Sequence, residues 1–397
     1  TFKIALPDGT VAGDATGSLS VALRKGQPPK FDISSDLSGM RLSFAPLKWG
    51  KPAGTRGRFT ISGTAGDRPD ITNLALSAAG LEASGGRVTL TPEGTLDRLD
   101  VDRFKLGGWL DVPASLVGQG AGQPVKVEIR GGRLDLPEAT FGGSSGAGTG
   151  AAIPIEVQLD RFVITKGQEL NAFSARLSLA DGVTGSFRGD LNGAGTLTGT
   201  VRPGPYGPTI TATSKDAGSI VTAAGVLERA SGGELSFGLT ALPEEGSYDG
   251  RVVIQDIRVQ SAPALAELLS AVSVVGLIDQ MTGAGGIQFS QVQGDFTLRP
   301  GRLSIRDGTA EGPSLGITLE GLYDTSAGQV DLQGVVSPVY FINALGQVVA
   351  RKGEGLFGFT YTLTGDAKSP AVGVNPLSIL TPGALRDIFR KKPAGGE

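Results

Sequence analysis

The stretch FTLRPGRLSIRDGTAEGPSLGITLEGLYD, residues 296–324, carries the pattern that decides the fold of this chain. Within it, apolar and polar residues alternate with a period of two, and Pro300-Gly301 separates two alternating runs. Such alternation predicts β-strands with one apolar and one polar face, and a Pro-Gly pair predicts a turn between them. The apolar members of the alternation are Phe296, Leu298, Leu303, Ile305, Ile317 and Leu319. The stretch therefore predicts consecutive antiparallel strands joined by hairpins.

The same rhythm extends through most of the 397 residues, as far as a run near the C-terminus. That run alternates at Phe357, Phe359, Tyr361 and Leu363. The turn signals between such runs include Pro92-Glu93-Gly94, Gly131-Gly132, Asp181-Gly182, Pro300-Gly301 and Asp307-Gly308. We expect about twenty strands of about 5–7 residues, mostly in hairpin succession, with a flexible glycine-rich loop at residues 142–150.

Composition argues against catalysis. The chain has no histidine and no cysteine, so it cannot build a Ser-His-Asp or Cys-His nucleophile system or a His/Cys zinc site. Residues 312–316 (GPSLG) match the spacing of a nucleophile elbow, but a strand is expected to follow them where the elbow needs a helix. A net charge of -3 argues against a broad nucleic-acid interface. We therefore expect no enzymatic activity, no cofactor, no metal and no nucleic-acid partner.

Residues 263–281 (PALAELLSAVSVVGLIDQM) interrupt the strand rhythm and predict a helix. Ser261 and Pro263 are the expected cap and first-turn residues. As a membrane span the segment is short and carries Glu267 and Asp279, so a helix packed against the sheet is the favoured interpretation.

A second, amphipathic helix is predicted at residues 381–391, with Thr381 as its N-cap and Pro382 in its first turn. Its predicted functional residues, with the residue that precedes it, are Leu380, Leu385, Arg386, Ile388, Phe389 and Arg390. Two roles stay open from the residues alone. The helix either caps an open end of the sheet or contacts an anionic membrane surface.

An antiparallel sheet of this size needs a cover for its apolar face, and two short helices cannot cover about twenty strands. We therefore expect a mostly β fold, a long curved antiparallel sheet whose apolar concave face forms a groove. A strand of about 5–7 residues is roughly 17–23 Å long, which suits an extended acyl chain, and twenty strands give a groove on the order of 95 Å long. The predicted lipid-binding residues are Phe296, Leu298, Leu303, Ile305, Ile317, Leu319, Phe357 and Phe359.

The C-terminal half carries a family resemblance. Residues 252–289 (VVIQDIRVQSAPALAELLSAVSVVGLIDQMTGAGGIQF) and 354–389 (EGLFGFTYTLTGDAKSPAVGVNPLSILTPGALRDIF) have the order of features of AsmA-like bacterial envelope proteins. This part of the chain resembles the C-terminal region of the YhdP and TamB type. The resemblance implies a division into a repetitive β-groove region, residues 1–250, and an AsmA-like C-terminal region, residues 251–397.

The resemblance also implies a location and a function. It implies a periplasmic protein, anchored in the inner membrane by an N-terminal helix that precedes this sequence. It further implies phospholipid transfer along the groove between inner and outer membrane, with phospholipid, the two membranes and other envelope proteins as partners. The alternative is a non-catalytic factor for envelope or outer-membrane-protein assembly that binds client strands by β-augmentation.

Overall fold

The computed structural model describes residues 9–44, 47–66, 69–140, 151–272, 285–338 and 358–380. The described residues are mostly β, with 64% of them in strands. The described strands are β1 (Val11–Ala12), β2 (Gly17–Ala22), β3 (Lys30–Ser35), β4 (Arg41–Phe44), β5 (Trp49–Lys51), β6 (Arg58–Thr64), β7 (Asp70–Ala78), β8 (Leu81–Leu90), β9 (Leu96–Leu106), β10 (Leu110–Val117), β11 (Lys126–Arg130), β12 (Arg133–Asp135), β13 (Ile153–Thr165), β14 (Gln168–Leu179), β15 (Val183–Leu191), β16 (Gly195–Gly204), β17 (Gly207–Ser214), β18 (Arg229–Ser231), β19 (Glu234–Ala241), β20 (Tyr248–Ser261), β21 (Ile287–Arg299), β22 (Arg302–Glu311), β23 (Leu315–Asp324), β24 (Gln329–Pro338), β25 (Phe359–Asp366) and β26 (Ala371–Asn375).

Strands β2, β3 and β6–β26 belong to one sheet, while β1, β4 and β5 form a small sheet of three strands. Pairing in the large sheet is predominantly antiparallel, whereas β11 and β12 pair parallel with β13. The prediction of one long antiparallel sheet is confirmed. The chain divides into two compact units, residues 1–190 and 191–397. The proposed division at residue 250 stays a prediction.

The described residues contain two α-helices, α1 (Ala217–Ala223) and α2 (Pro263–Ala271). The predicted start of α2 at Pro263 is confirmed, but Ser261 is not its cap, because Ala262 is the N-cap and the Ser261 hydroxyl donates to Glu228 at 2.7 Å. Residues 273–281 of the predicted helix lie outside the described residues. Neither described helix has the length and apolar character needed to cross a membrane.

The sequence did not predict α1. The carboxylate of Asp216 accepts a hydrogen bond from the backbone N–H of Ser219, which satisfies one of the amides left open at the start of a helix. The helix has seven residues, too few for a periodic apolar stripe to stand out in an alternating sequence.

Several strands are longer than expected. The strand β20 has 14 residues and β21 has 13, where about 5–7 residues were predicted.

Two of the predicted turns do not reverse the chain. Asp307-Gly308 lies inside β22 at a register shift, and Gly131-Gly132 interrupts β11 and β12 without reversing the chain. The signals at residues 92–94, 181–182 and 300–301 do connect hairpins, as predicted.

In residues 1–190 the apolar side chains of neighbouring strands meet in register. Phe31 lies opposite Gly63, which lies opposite Ile71, which in turn lies opposite Val88. One cluster contains the three buried side chains of Phe31, Ile71 and Val88. Further half-buried residues pack against it: Ile33, Ile61, Ala65, Leu74, Leu90, Leu96 and Leu99. One face of this unit is therefore an apolar layer that runs across consecutive strands.

The polar face of the same unit is joined by charged hydrogen bonds. Glu128 on β11 accepts from Lys126 at 3.0 Å and from Arg130 at 2.8 Å, and it lies 3.4 Å from Arg98 on β9. Lys126 also lies 2.9 Å from Glu156 on β13. Cross-strand opposite charges of this kind hold neighbouring strands in register and keep the face soluble.

Candidate functional site

The candidate site is an apolar surface formed by the sheet in residues 191–397. In an antiparallel pair, directly opposed residues project from the same face, and so do residues two apart on one strand. Leu298 lies opposite Leu303, and Phe296 lies opposite Ile305. Following the registers across the unit gives a set that we call the apolar face: Leu235, Phe237, Leu239, Val252, Ile254, Phe296, Leu298, Leu303, Ile305, Ile317, Leu319, Tyr323, Val330, Leu332, Val336, Phe359, Tyr361 and Leu363.

Seven of the eight predicted lipid-binding residues lie in the described part of the chain, and their registers put all seven on this face. These are Phe296, Leu298, Leu303, Ile305, Ile317, Leu319 and Phe359. Phe357 lies outside the described residues. The sequence neighbours Thr297, Ser304 and Thr318 fall at the alternate positions and project from the opposite face.

A β-bulge keeps the face continuous along β22. Arg306 and Asp307 together oppose the single residue Asp295 of β21, so the side-chain alternation of β22 shifts by one residue at this point. After the shift, Gly308 lies opposite Leu319 and the next pair follows on the same side. Without the extra residue the apolar positions before and after it would project from opposite faces.

An aromatic pair covers the middle of the face. The ring of Phe296 lies over the backbone of Gly250 on the neighbouring strand, where a Cβ atom would collide with the ring. The same ring stacks on Phe237, with centroids 6.1 Å apart and planes inclined by 22°. Phe237 was part of a predicted alternating run but not of the predicted lining. Its role could have been inferred only from the pairing of β19 with β20, which sequence alone does not give.

Burial changes along the strands. The seven described lining candidates are all half-buried, whereas the pairs beyond Asp256, near α2, are fully buried. There Ile257 lies opposite Phe289 and Val259 lies opposite Ile287, each at most 5% exposed. The helix α2 buries its own Leu268 and Leu269 and packs against β26. The candidate lining is thus distinct from the closed core at the α2 end.

The opposite face carries polar and charged side chains. Arg306 on β22 forms an ion pair with Asp249 on β20 and donates a hydrogen bond of 3.1 Å to the Thr297 hydroxyl on β21. Arg251 lies 3.4 Å from Asp295 on the next strand. Around these pairs on β20, β21 and β22 the sheet is therefore two-sided, with apolar side chains on one face and charged pairs on the other.

The last described segment is a 3₁₀ helix, Pro376–Leu380, held against β25. The buried hydroxyl of Ser378 accepts from the backbone N–H of Thr360 at 2.8 Å and donates to the carbonyl oxygen of Asn375 at 2.6 Å. Leu380 ends this helix. The other predicted cap or membrane residues lie outside the described residues: Leu385, Arg386, Ile388, Phe389 and Arg390. Their role stays a prediction.

Comparisons with protein-family models, with curated proteins and with solved structures find no match to this chain. The AsmA-like resemblance of the C-terminal half therefore stays a prediction from the sequence.

Proposed function

We propose that this chain is a non-catalytic lipid-transfer segment of a bacterial envelope protein, and that its apolar face holds phospholipid acyl chains. The observation that carries the proposal is the register of β21, β22, β23 and β25. It sets seven half-buried apolar side chains on one face and their polar neighbours on the other. A sheet with so extended an apolar face and so little helix needs an apolar cover, and acyl chains supply one.

Acyl chains would bind by passive partitioning, with about 0.8 kcal/mol gained per methylene removed from water. Half-buried side chains leave apolar area for a ligand to cover, which the fully buried pairs near α2 do not. Direction of transfer would come from outside this chain. A periplasmic location with an inner-membrane anchor is part of the proposal and rests on the resemblance of residues 252–289 and 354–389 to AsmA-like proteins.

A second candidate function is assembly of envelope proteins by β-augmentation. The observation that favours it is the strand β2, whose six residues are all exposed and which pairs only with β3 among the described residues, so that its other edge is open there. Backbone groups on such an edge can pair with the strand of a client protein. The two functions differ in ligand, so the same crosslinking experiment separates them.

The test places a photo-crosslinking residue at pairs of positions that are neighbours in sequence and project from opposite faces of the sheet. Crosslinkers at Leu303 and Leu319 project from the apolar face, and crosslinkers at Ser304 and Thr318 are the controls on the opposite face. We expect phospholipid adducts at the first pair and few at the second, read by mass spectrometry of protein purified from a Gram-negative host. Equal labelling on both faces would contradict the proposal. A further crosslinker at Ser20 of β2 tests the alternative, because protein adducts there without lipid at Leu303 would favour assembly.

A further inference from the structure

The apolar face is closed at one end of its strands and half-open at the other. At the end where α2 follows β20, Leu315, Val336 and Tyr361 of this face are at most 3% exposed. The opposite end carries the exposed turns of the hairpins β19–β20, β21–β22 and β23–β24, and we call it the hairpin end. The last row of the apolar face before these turns is half-buried, and we call it the rim: Tyr248, Leu298, Leu303, Tyr323 and Val330.

Two tyrosines lie in the rim. Tyr248 lies opposite Leu298, which pairs with Leu303 of the next strand, and Leu303 lies opposite Tyr323. The two tyrosines are therefore three strand spacings apart, about 14 Å, on either side of the two leucines. Among the described residues, neither phenol hydroxyl has a hydrogen-bond partner. Both hydroxyls are thus available to a ligand on the apolar face.

A third tyrosine lies at the hairpin end. Tyr206 is 64% exposed in the turn between β16 and β17. Just after this turn, Thr209 lies opposite Thr240 of β19. The next residue of β19, Ala241, lies opposite Tyr248. Three of the four tyrosines in the described part of the chain are therefore at this end. A tyrosine has an apolar ring and a polar hydroxyl, which suits a boundary between an apolar region and water.

From this arrangement we propose that the rim binds the phosphate end of a phospholipid, while the acyl chains run along the strands toward α2. The inference rests on the proposed function and adds the orientation of the lipid and the residues that receive its headgroup. The hydroxyls of Tyr248 and Tyr323 donate hydrogen bonds to phosphodiester oxygens, and their rings stay on the apolar face. The reverse orientation would put the charged phosphate beside Leu315, Val336 and Tyr361, which are closed to water, and burial of an unpaired charge is strongly unfavourable.

The half-open length of the face suits an acyl chain in this orientation. Along β23, Tyr323, Leu319 and Ile317 are half-buried, and full burial of the apolar face begins at Leu315, beyond Ile317. The strand from Tyr323 to Ile317 is about 20 Å long. An acyl chain that begins at the rim can therefore lie over these side chains and end before the closed part of the face.

The orientation can be measured with fluorescent labels, because the chain contains no cysteine and one introduced cysteine carries one label. Ala327→Cys puts the label in the exposed turn at the hairpin end, and Pro313→Cys puts it in the exposed turn at the other end of β23. The probes are two phosphatidylcholines, one with a nitroxide on the headgroup and one with a nitroxide near the end of an acyl chain. Since the two ends of β23 are about 30 Å apart, we expect the headgroup nitroxide to quench the label of Ala327→Cys roughly threefold more than that of Pro313→Cys. The acyl-chain nitroxide should give the reverse order.

The amount of bound lipid separates this inference from the proposed function. Phosphate analysis of the purified chain measures that amount independently of quenching. Bound lipid with equal quenching of both labels by the headgroup nitroxide, or with the reverse order, overturns the orientation alone. Absence of bound lipid overturns both the orientation and the proposed function.

A second measurement tests the two phenols. The double variant Tyr248→Phe with Tyr323→Phe keeps the rings and removes the hydroxyls, so we expect its affinity for the headgroup-labelled phosphatidylcholine to fall about fivefold or more. The control is Ser304→Ala, which removes a hydroxyl from the opposite face of β22 and should bind the probe like the unchanged chain. Circular dichroism checks that both variants are folded. Unchanged affinity of the folded double variant would show that the phenols do not hold the phosphate, and this part of the inference would be wrong.

Discussion

The hydroxyl of Tyr361 on β25 donates a hydrogen bond of 2.7 Å to the backbone carbonyl oxygen of Thr318 on β23, across the intervening strand β24. The bond passes over Gly334 of β24, where a Cβ atom would collide with that carbonyl oxygen and crowd the hydroxyl. The Thr318 hydroxyl in turn accepts from the backbone N–H of Val335 at 3.0 Å. Burial raises the pKa of Tyr361, so the phenol keeps its proton and remains a donor.

This bond ties three strands together where the ladder between β23 and β24 is interrupted. We expect Tyr361→Phe to lower the free energy of unfolding by about 1–3 kcal/mol, because a buried carbonyl oxygen loses its donor. The control is Tyr206→Phe, since Tyr206 is 64% exposed. Chemical denaturation measures both variants. Equal stability of Tyr361→Phe and the unchanged chain would show that water or another group satisfies Thr318 as well.

The aromatic cover of the apolar face depends on Gly250. We expect Gly250→Ala to cost about 1–3 kcal/mol, because the added methyl group overpacks the site under the Phe296 ring. The double variant Gly250→Ala with Phe296→Leu should lose less than the sum of the two single losses, since the smaller side chain leaves room. Gly238→Ala is the matched control, because the space around Gly238 accepts a methyl group. If the stability losses of the two single variants simply add in the double variant, the contact between the Phe296 ring and Gly250 is contradicted.

The sequence predicts which face of a strand a residue belongs to, but it does not predict where a strand turns and where it bulges. The alternation of apolar and polar residues was enough to assign Leu298, Leu303 and the other described candidates to one face, because side-chain period fixes the face of a strand. It could not separate a turn from a bulge. Asp307-Gly308 and Pro300-Gly301 look alike locally, and only the pairing partners decide that the first continues its strand and the second reverses it.

The sequence predicts the apolar character of the candidate lining, but it does not predict which apolar residues of the same face are fully buried. Nothing in the local pattern distinguishes Ile317, which is half-buried, from Leu315 two residues earlier, which is fully buried. Both belong to one strand and both are apolar. Their difference comes from what packs over each end of the sheet, which is a tertiary property. The two-residue spacing gives the same face for both, and burial then depends on position along the strand.

This difference in burial separates two substitutions that look equivalent in the sequence. Leu319→Asp adds a charge at a half-buried position of the apolar face, where water can reach it, so we expect the fold to survive and co-purified phospholipid to fall. Leu315→Asp adds a charge at a position with 0% exposure, and the cost of several kcal/mol for a buried unpaired ion should unfold the unit. Circular dichroism measures whether each variant is folded, and lipid extraction measures how much phospholipid co-purifies with it. Unfolding by Leu319→Asp would place that residue in a closed core.

The charged network on the polar face of residues 1–190 should make stability depend on pH. The hydrogen bond from Lys126 holds the pKa of the Glu128 carboxyl below its ordinary value, with further help from the charges of Lys126 and Arg130. A carboxyl whose pKa is lower in the folded than in the unfolded state stabilises the fold above its unfolded pKa, about 4.3. That stability is lost as the pH falls through the folded pKa.

We therefore expect Glu128→Gln to be less stable than the unchanged chain by about 1–3 kcal/mol at pH 7, because charge-assisted hydrogen bonds to a buried carboxylate are lost. The difference should shrink as the pH falls below the ordinary pKa of a glutamate and Glu128 itself takes up a proton. Glu93→Gln is the control, since Glu93 lies exposed in the hairpin turn between β8 and β9. Urea denaturation at a series of pH values measures all three chains. A difference between Glu128→Gln and the unchanged chain that stays constant down to a pH of about 2 would show that the carboxylate charge does not stabilise this face.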